Sequence, residues 1–143
     1  MILYLDTSSL AKIYLDEPCS DDVVEWIGTA DATATSRVTY PEIASALARR
    51  CIGGALTPGD LRLSLDDLEA GWGDYLVVDL AERLAAKLAV RHVLRGFDAI
   101  QLAAAVTLRD AIGPDGVAFS SFDAQLTRAA VEEGLIVLEP GDA

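Results

Sequence analysis

Histidine and cysteine are nearly missing from this 143-residue chain, which has one histidine, His92, and two cysteines, Cys19 and Cys51. A structural zinc site needs four nitrogen or sulfur ligands, so that class is excluded. The cysteines form no C-x-x-C pair and read as buried free thiols in a reducing compartment. Acid–base catalysis by paired histidines is unavailable with His92 alone. A Ser-His-Asp triad would have to recruit His92 without any nucleophile-elbow sequence beside it. His92 is therefore expected at the surface. Lysine occurs only as Lys12 and Lys87, and no G-x-G-x-x-G or phosphate-loop lysine motif is present, so nothing supports a nucleotide cofactor. Long apolar runs are also absent. The hydrophobic fraction is 52%, yet no run approaches the roughly 18 residues of a membrane span. The opening MILYLDTSS has neither the basic nor the apolar region of a secretory signal. The expectation is a cytoplasmic protein with no membrane association.

Positive charge is scarce too: 11 basic residues face 23 acidic ones, for a net charge of −12. The basic residues are unevenly spread. Arg83, Lys87, Arg91 and Arg95 recur at intervals of four, a slowly winding stripe on one helix that stops just before Asp98. The stripe reads either as a solvated face suited to a helix C-terminus or as a phosphate track leading to an acidic site. Elsewhere the acidic excess would repel bulk nucleic acid or suit a basic protein partner.

No repeat, low-complexity tract or linker divides the chain, so one domain over 1–143 is expected. Residues 2–5 read as a buried strand, followed by a helix from about Ser8 to Leu15 that Glu17-Pro18 breaks. Ser20-Asp21-Asp22 opens a second helix. Ala32–Ser36 is a weaker strand. A long helix over about Pro41–Ile52 stops at Gly53-Gly54. Pro58-Gly59-Asp60 starts the next, whose Leu61, Leu65, Leu68 and Trp72 form a core-facing stripe. Leu76–Val78 is a third strand, and helices follow over about 80–94 and 98–111. Val117–Phe119 is a fourth strand, residues 122–133 form a last helix, and Leu135–Leu138 is a fifth strand. Short apolar strands separated by helices imply a three-layer α/β architecture around a parallel sheet.

Against this frame four acids occupy one kind of position. Asp6 and Asp123 follow apolar strands, and Glu42 and Asp98 open Ala- and Leu-rich helices. Each has an ordinary explanation. Asp6 and Asp98 suit helix caps, Thr39-Tyr40-Pro41-Glu42 fits a capping box, and Ser120-Ser121-Phe122-Asp123 resembles one with a shorter acid. Jointly they suggest more, because ligands of open α/β sheets bind outside the carboxyl ends of the strands. Four carboxylates crowded there need countercharge, and an all-oxygen set suits Mg²⁺ or Mn²⁺.

The motifs Leu5-Asp6-Thr7-Ser8, Glu42 within Thr39–Leu47, Phe97-Asp98-Ala99-Ile100-Gln101-Leu102-Ala103, and Ser121-Phe122-Asp123-Ala124-Gln125-Leu126 follow one another in order. This set resembles the PIN-domain family, and within it the small VapC-type toxins of bacterial toxin–antitoxin pairs. The resemblance implies a Mg²⁺- or Mn²⁺-dependent endoribonuclease with a five-stranded parallel sheet. It makes Asp6, Glu42 and Asp98 the core acids and Asp123 the fourth. Thr7 and Ser121 match polar positions that organise such a site, although Ser121-Phe122-Asp123 departs from the commoner Thr-x-Asp. The implied partners are an RNA substrate, a cognate antitoxin and, as in many relatives, a second copy of the chain. Arg37, Arg91 and Arg95 are candidate RNA contacts. Two other readings stand beside this one: a non-catalytic protein-binding α/β domain whose acids only cap helices, and a housekeeping RNA-processing nuclease. A phosphate-accepting signalling domain is disfavoured, because Thr7-Ser8 rather than a second acid follows Asp6 and no lysine ends a strand.

Overall fold

The computed structural model describes residues 1–141; residues 142–143 of the expected domain lie outside the described residues. Five strands form one parallel sheet: β1 (Ile2–Leu5), β2 (Ala32–Ser36), β3 (Leu76–Val78), β4 (Val117–Ser120) and β5 (Ile136–Val137). Their order is β3-β2-β1-β4-β5, so β1 lies at the centre. Parallel neighbours require crossovers, and helices supply them. These are α1 (Thr7–Leu10), α2 (Ser20–Thr29), α3 (Thr39–Ile52), α4 (Pro58–Trp72), α5 (Glu82–His92), α6 (Gly96–Ile112) and α7 (Ala124–Glu132).

The two-residue period of β1 divides the core. Leu3 and Leu5 face one way and pack with Leu10, Val23, Trp26, Ile43, Leu47 and Leu68 from α1–α4. Tyr4 faces the other way and packs with Ala34, Leu88, Leu102, Phe119 and Leu126, on the side of α5–α7. Each buried leucine contributes roughly 1.5–3 kcal/mol, so the central strand is anchored from both layers. The leucine stripe of α4 packs as expected: Leu68 is buried, and Trp72 meets Tyr40 and Tyr75 edge-on at 4.9 and 5.9 Å. A capping box between Thr57 and Asp60 starts this helix.

Several boundaries differ from expectation. The first helix lasts only four residues before a 3-10 turn at Ala11–Ile13. There the Tyr14 and Leu15 amides converge on the Ala11 carbonyl as the helix tightens and ends. β5 keeps two residues of the expected four, although the Leu138 amide still bonds the Phe119 carbonyl. α5 stops at His92 because Val93 turns left-handed (φ 51°, ψ 49°). Arg95 is then extended, so the basic stripe does not lie on one helix: Arg83, Lys87 and Arg91 ride on α5, and Arg95 stands at the threshold of α6. Cys19 and Cys51 are free and half-buried. Among the described residues no helix is long and apolar enough to cross a membrane.

Val93 invites a direct test. A β-branched residue in the left-handed region costs roughly 1–2 kcal/mol, and its side chain, 80% exposed, gives little burial in return. Val93→Gly is expected to raise stability by about 1 kcal/mol in urea unfolding. A loss of stability would show that this strain is absent.

Candidate active site

The sheet changes direction of winding between β1 and β4. The chain runs outward from β1 through β2 to β3, then returns to place β4 on the other side of β1. Such a switch point opens a crevice beyond the carboxyl ends of the two strands. Asp6 is the first residue after β1, and Ser121 the first after β4.

Asp6 is 4% exposed and accepts three hydrogen bonds. Oδ1 takes the Ser8 hydroxyl at 2.7 Å and the Ser9 amide at 2.9 Å, and Oδ2 takes the Ser121 hydroxyl at 2.6 Å. The Ser9 bond is the helix cap anticipated for this residue. Ser8 also receives the Phe122 amide, and Ser121 receives the Asp123 amide, which ties the β4–α7 loop to the carboxylate. Among the described residues no basic side chain forms an ion pair with Asp6. Burial pushes its carboxyl up to about 6; the three hydrogen bonds oppose that rise, and the charge of Asp98 adds to it.

Glu42 does not form the capping box that its local sequence would also explain. α3 begins at Thr39, two residues before the expected start, with Val38 in the cap position, and Thr39 is buried, bonded to Thr35 and Gln101 rather than to Glu42. Glu42 Oε1 instead accepts the Thr7 hydroxyl at 2.6 Å and Gln101 Nε2 at 3.3 Å. Gln101, 2% exposed on α6, lies within the Phe97–Ala103 motif but was given no role there, because nothing local shows what an amide in an alanine-rich helix bonds. Its role becomes clear from Tyr4. Burial, and then the charges of Asp6 and Glu42, push the Tyr4 hydroxyl well above its usual range, so it stays protonated. It donates to Gln101 Oε1 at 2.6 Å. That fixes the orientation of the amide and turns Nε2 toward Thr7, Thr39 and Glu42.

Asp98 lies in the first turn of α6 and does not cap it; its Oδ2 accepts Arg95 Nε at 3.2 Å. Asp123 caps α7 through the Leu126 amide at 2.8 Å, without a Ser120 capping box. Arg95 also reaches Asp123 at 3.6 Å, and so spans the two acids.

Comparisons with known proteins bear on the family and the fold. The model of the PIN domain family matches residues 3–132. The chain belongs to the PIN-domain family. Ribonuclease VapC49 of Mycobacterium tuberculosis is 32% identical over 136 residues, covering 93% of this chain and 92% of that protein. Ribonuclease VapC47 of the same species is 29% identical over 144 residues, covering 98% of each. Among solved structures, a toxin–antitoxin complex from Klebsiella pneumoniae superposes with a TM-score of 0.67 at 14% identity, covering 99% of both chains. PAE2754 from Pyrobaculum aerophilum superposes at 0.66 and 17% identity, covering 96% of this chain and 83% of its own. At these identities the structures speak for the fold: a five-stranded parallel sheet with helices on both faces.

In this PIN domain the acids are less crowded than their sequence pattern suggested. Among the described residues no three Asp, Glu, His or Cys side chains converge into a ready-made metal cage. The reason is local bonding: Thr7 and Gln101 hold Glu42, and Arg95 holds Asp98 and Asp123. The donor set still fits a hard divalent cation. Magnesium commonly binds through one or two carboxylates and keeps several waters. Asp6 is a buried carboxylate in the field of Asp98 with no cationic partner, and a cation would relieve that environment.

The remaining candidates separate. Thr7 and Ser121 bond directly to Glu42 and Asp6. Arg37 pairs with Asp79 at 2.7 Å. Arg91 lies against the end of α7, its Nη1 donating to both carboxylate oxygens of Glu133 at 2.7 and 2.9 Å. His92 is no surface residue: its side chain is 6% exposed and bridges Glu132 and Glu133. Burial tends to raise Glu133's carboxyl, but hydrogen bonds from His92 and Arg91 outweigh it and hold the group below its ordinary range. Of the three proposed arginine contacts, only Arg95 stands beside the acids.

Proposed function

We propose that this PIN-domain protein is a Mg²⁺- or Mn²⁺-dependent endoribonuclease and the toxin of a toxin–antitoxin pair. The observation that carries the reading is Asp6: a buried carboxylate at the switch point of the sheet, held by three donors and matched by no basic residue, with Asp98 close enough to perturb it. The ribonuclease names of its VapC relatives support the substrate class, and the solved toxin–antitoxin complexes of the same fold support the partner.

Asp6 and Asp98 would hold the ion, with Asp123 completing the shell of waters. When bound, such an ion supplies Lewis acidity toward the phosphoryl oxygens and neutralises their charge. Glu42 is arranged to take a proton. Thr7 and Gln101 occupy Oε1, which leaves Oε2 without a donor among the described residues and able to receive a proton from the attacking water. Ser8, Ser9 and Ser121 keep Asp6 oriented. Attack by water leaves a 5′-phosphate and a 3′-hydroxyl.

A partner that inhibits this site would present a basic side chain to the acids. Arginine suits that task, because its fork binds carboxylates bidentately, and Arg95 already spans Asp98 and Asp123 from within the chain.

The test is incubation of purified RNA with the protein in Mg²⁺, Mn²⁺ or EDTA, followed by end-group analysis, with and without the protein encoded beside it. Cleavage is expected only with metal, to give 5′-phosphates, and to be suppressed by a basic-tailed neighbour. Metal-independent cleavage, or 2′,3′-cyclic phosphate ends, would rule the mechanism out.

A further inference from the structure

The chain has nine aromatic side chains. Eight belong to the two cores described above; Phe97 belongs to neither and stacks on no other ring among the described residues. It is 59% exposed at the start of α6, immediately before Asp98. A single exposed phenylalanine is unremarkable by itself. Its position is not. Two shallow grooves of about 530 and 460 Å³ meet at Glu42 and Phe97, the residues common to both. The first contains Arg95 and Asp98, and the second contains Thr7, Pro41 and Arg49.

Arg49 is the second unusual residue. Its neighbour Arg50 pairs with Glu17 at 2.9 Å. Arg49 is exposed, donates to the Ser45 hydroxyl at 2.6 Å and forms no ion pair among the described residues. Each groove therefore contains a guanidinium, and the aromatic ring stands at their junction beside the acids. An apolar peptide would gain nothing from two guanidinium groups. A single polynucleotide strand would use both, since such strands are bound by a basic track interleaved with aromatic platforms.

We propose that Phe97 and Arg49 form a nucleotide-binding subsite. Phe97 stacks an unpaired base next to the scissile phosphate, and Arg49 binds a neighbouring phosphate along the α3 groove. The inference rests on the ribonuclease reading above and deepens it, because it assigns residues of this chain, outside the acids, to seating an unpaired base and its neighbouring phosphate. A base paired within a duplex keeps its faces stacked on its neighbours and offers none to Phe97.

Two measurements test the subsite. In the first, single-stranded RNA of random sequence carrying 5-iodouridine is bound to the Asp6→Asn variant, irradiated and mapped by mass spectrometry. Cross-links are expected at Phe97, and a duplex of the same composition should give none there. In the second, the KM for a single-stranded substrate is expected to rise about tenfold in Phe97→Ala with kcat little changed, to be restored in Phe97→Trp and not in Phe97→Leu. Arg49→Ala should lower RNA affinity and reduce its salt dependence by about one phosphate. Wild-type cleavage with cross-links elsewhere, or with Phe97→Ala unaltered, would overturn the subsite and leave the nuclease standing. Phe97→Ala that cleaves normally but escapes the protein inhibitor would make this a protein-docking surface and also overturn it. Failure of the wild type to bind or cleave any RNA would remove the ribonuclease reading and the subsite with it.

Discussion

Asp6→Asn is expected to lower RNA cleavage on the order of a thousandfold or more while making the metal-free fold more stable at neutral pH. The two effects share one cause. The folded state raises the Asp6 carboxyl from 3.8 to about 6 through burial. A carboxyl raised in this way binds more protons in the native state than in the unfolded chain between those values. Its contribution to stability therefore falls as pH rises from about 4 to about 6 and is constant above. A shift of this size corresponds to about 3 kcal/mol, as an order of magnitude. In EDTA the variant should match the wild type near pH 4 and exceed it by up to that amount at pH 7. Added Mg²⁺ should narrow the gap, since a cation that binds the native wild type stabilises it alone. Urea titrations across pH measure this. A difference that ignores pH, or a variant that still cleaves at the wild-type rate, would remove Asp6 from the centre of the site.

Gln101→Leu is expected to cost both stability and rate. Leucine fills a similar volume but offers no acceptor to Tyr4 and no donor to Thr7, Thr39 or Glu42. Orphaned buried polar groups cost about 1–3 kcal/mol each, so a loss of about 2–4 kcal/mol is expected. Tyr4→Phe in the same background should recover part of it, because the hydroxyl left without an acceptor is then gone; a double-mutant cycle measures the coupling. Cleavage should fall about ten- to hundredfold as Glu42 loses one of the two donors that aim it. Unchanged stability and rate would mean that the amide is a bystander.

The contrast between these two residues shows what the sequence could convey. Asp6 was legible because an acid at the end of an apolar strand is a local pattern, and the sheet topology needed only strands and helices in alternation. β2 occupies the residues expected of it, and the helices shift by a few positions. The role of Gln101 was not legible, because it comes from Tyr4, 97 residues away, and from Thr7, 94 residues away. The capping-box alternative for Glu42 misleads for the same reason: Thr39 matches the local motif but is drawn inward by Thr35. The basic stripe failed similarly. Arg91 follows the helical period, yet Glu133, 42 residues on, decides where its charge is spent. Left-handed Val93, a conformation that nothing in its side chain favours, then detaches Arg95 from the stripe.

The central position of β1 sets the moment at which this protein acquires its chemistry. Asp6 is made 115 residues before Ser121, which orients its second oxygen, and Asp123 follows Ser121. A nascent chain that ends before β4 lacks one of the two strands flanking β1 and cannot close the crevice, however well α1–α4 have packed. A product of synthesis that stops before β4 therefore lacks the crevice, and the site is completed in one step, when β4 and the loop after it become available. Under the proposed function, that ordering leaves the interval between β1 and β4 for an inhibitory partner to be on hand.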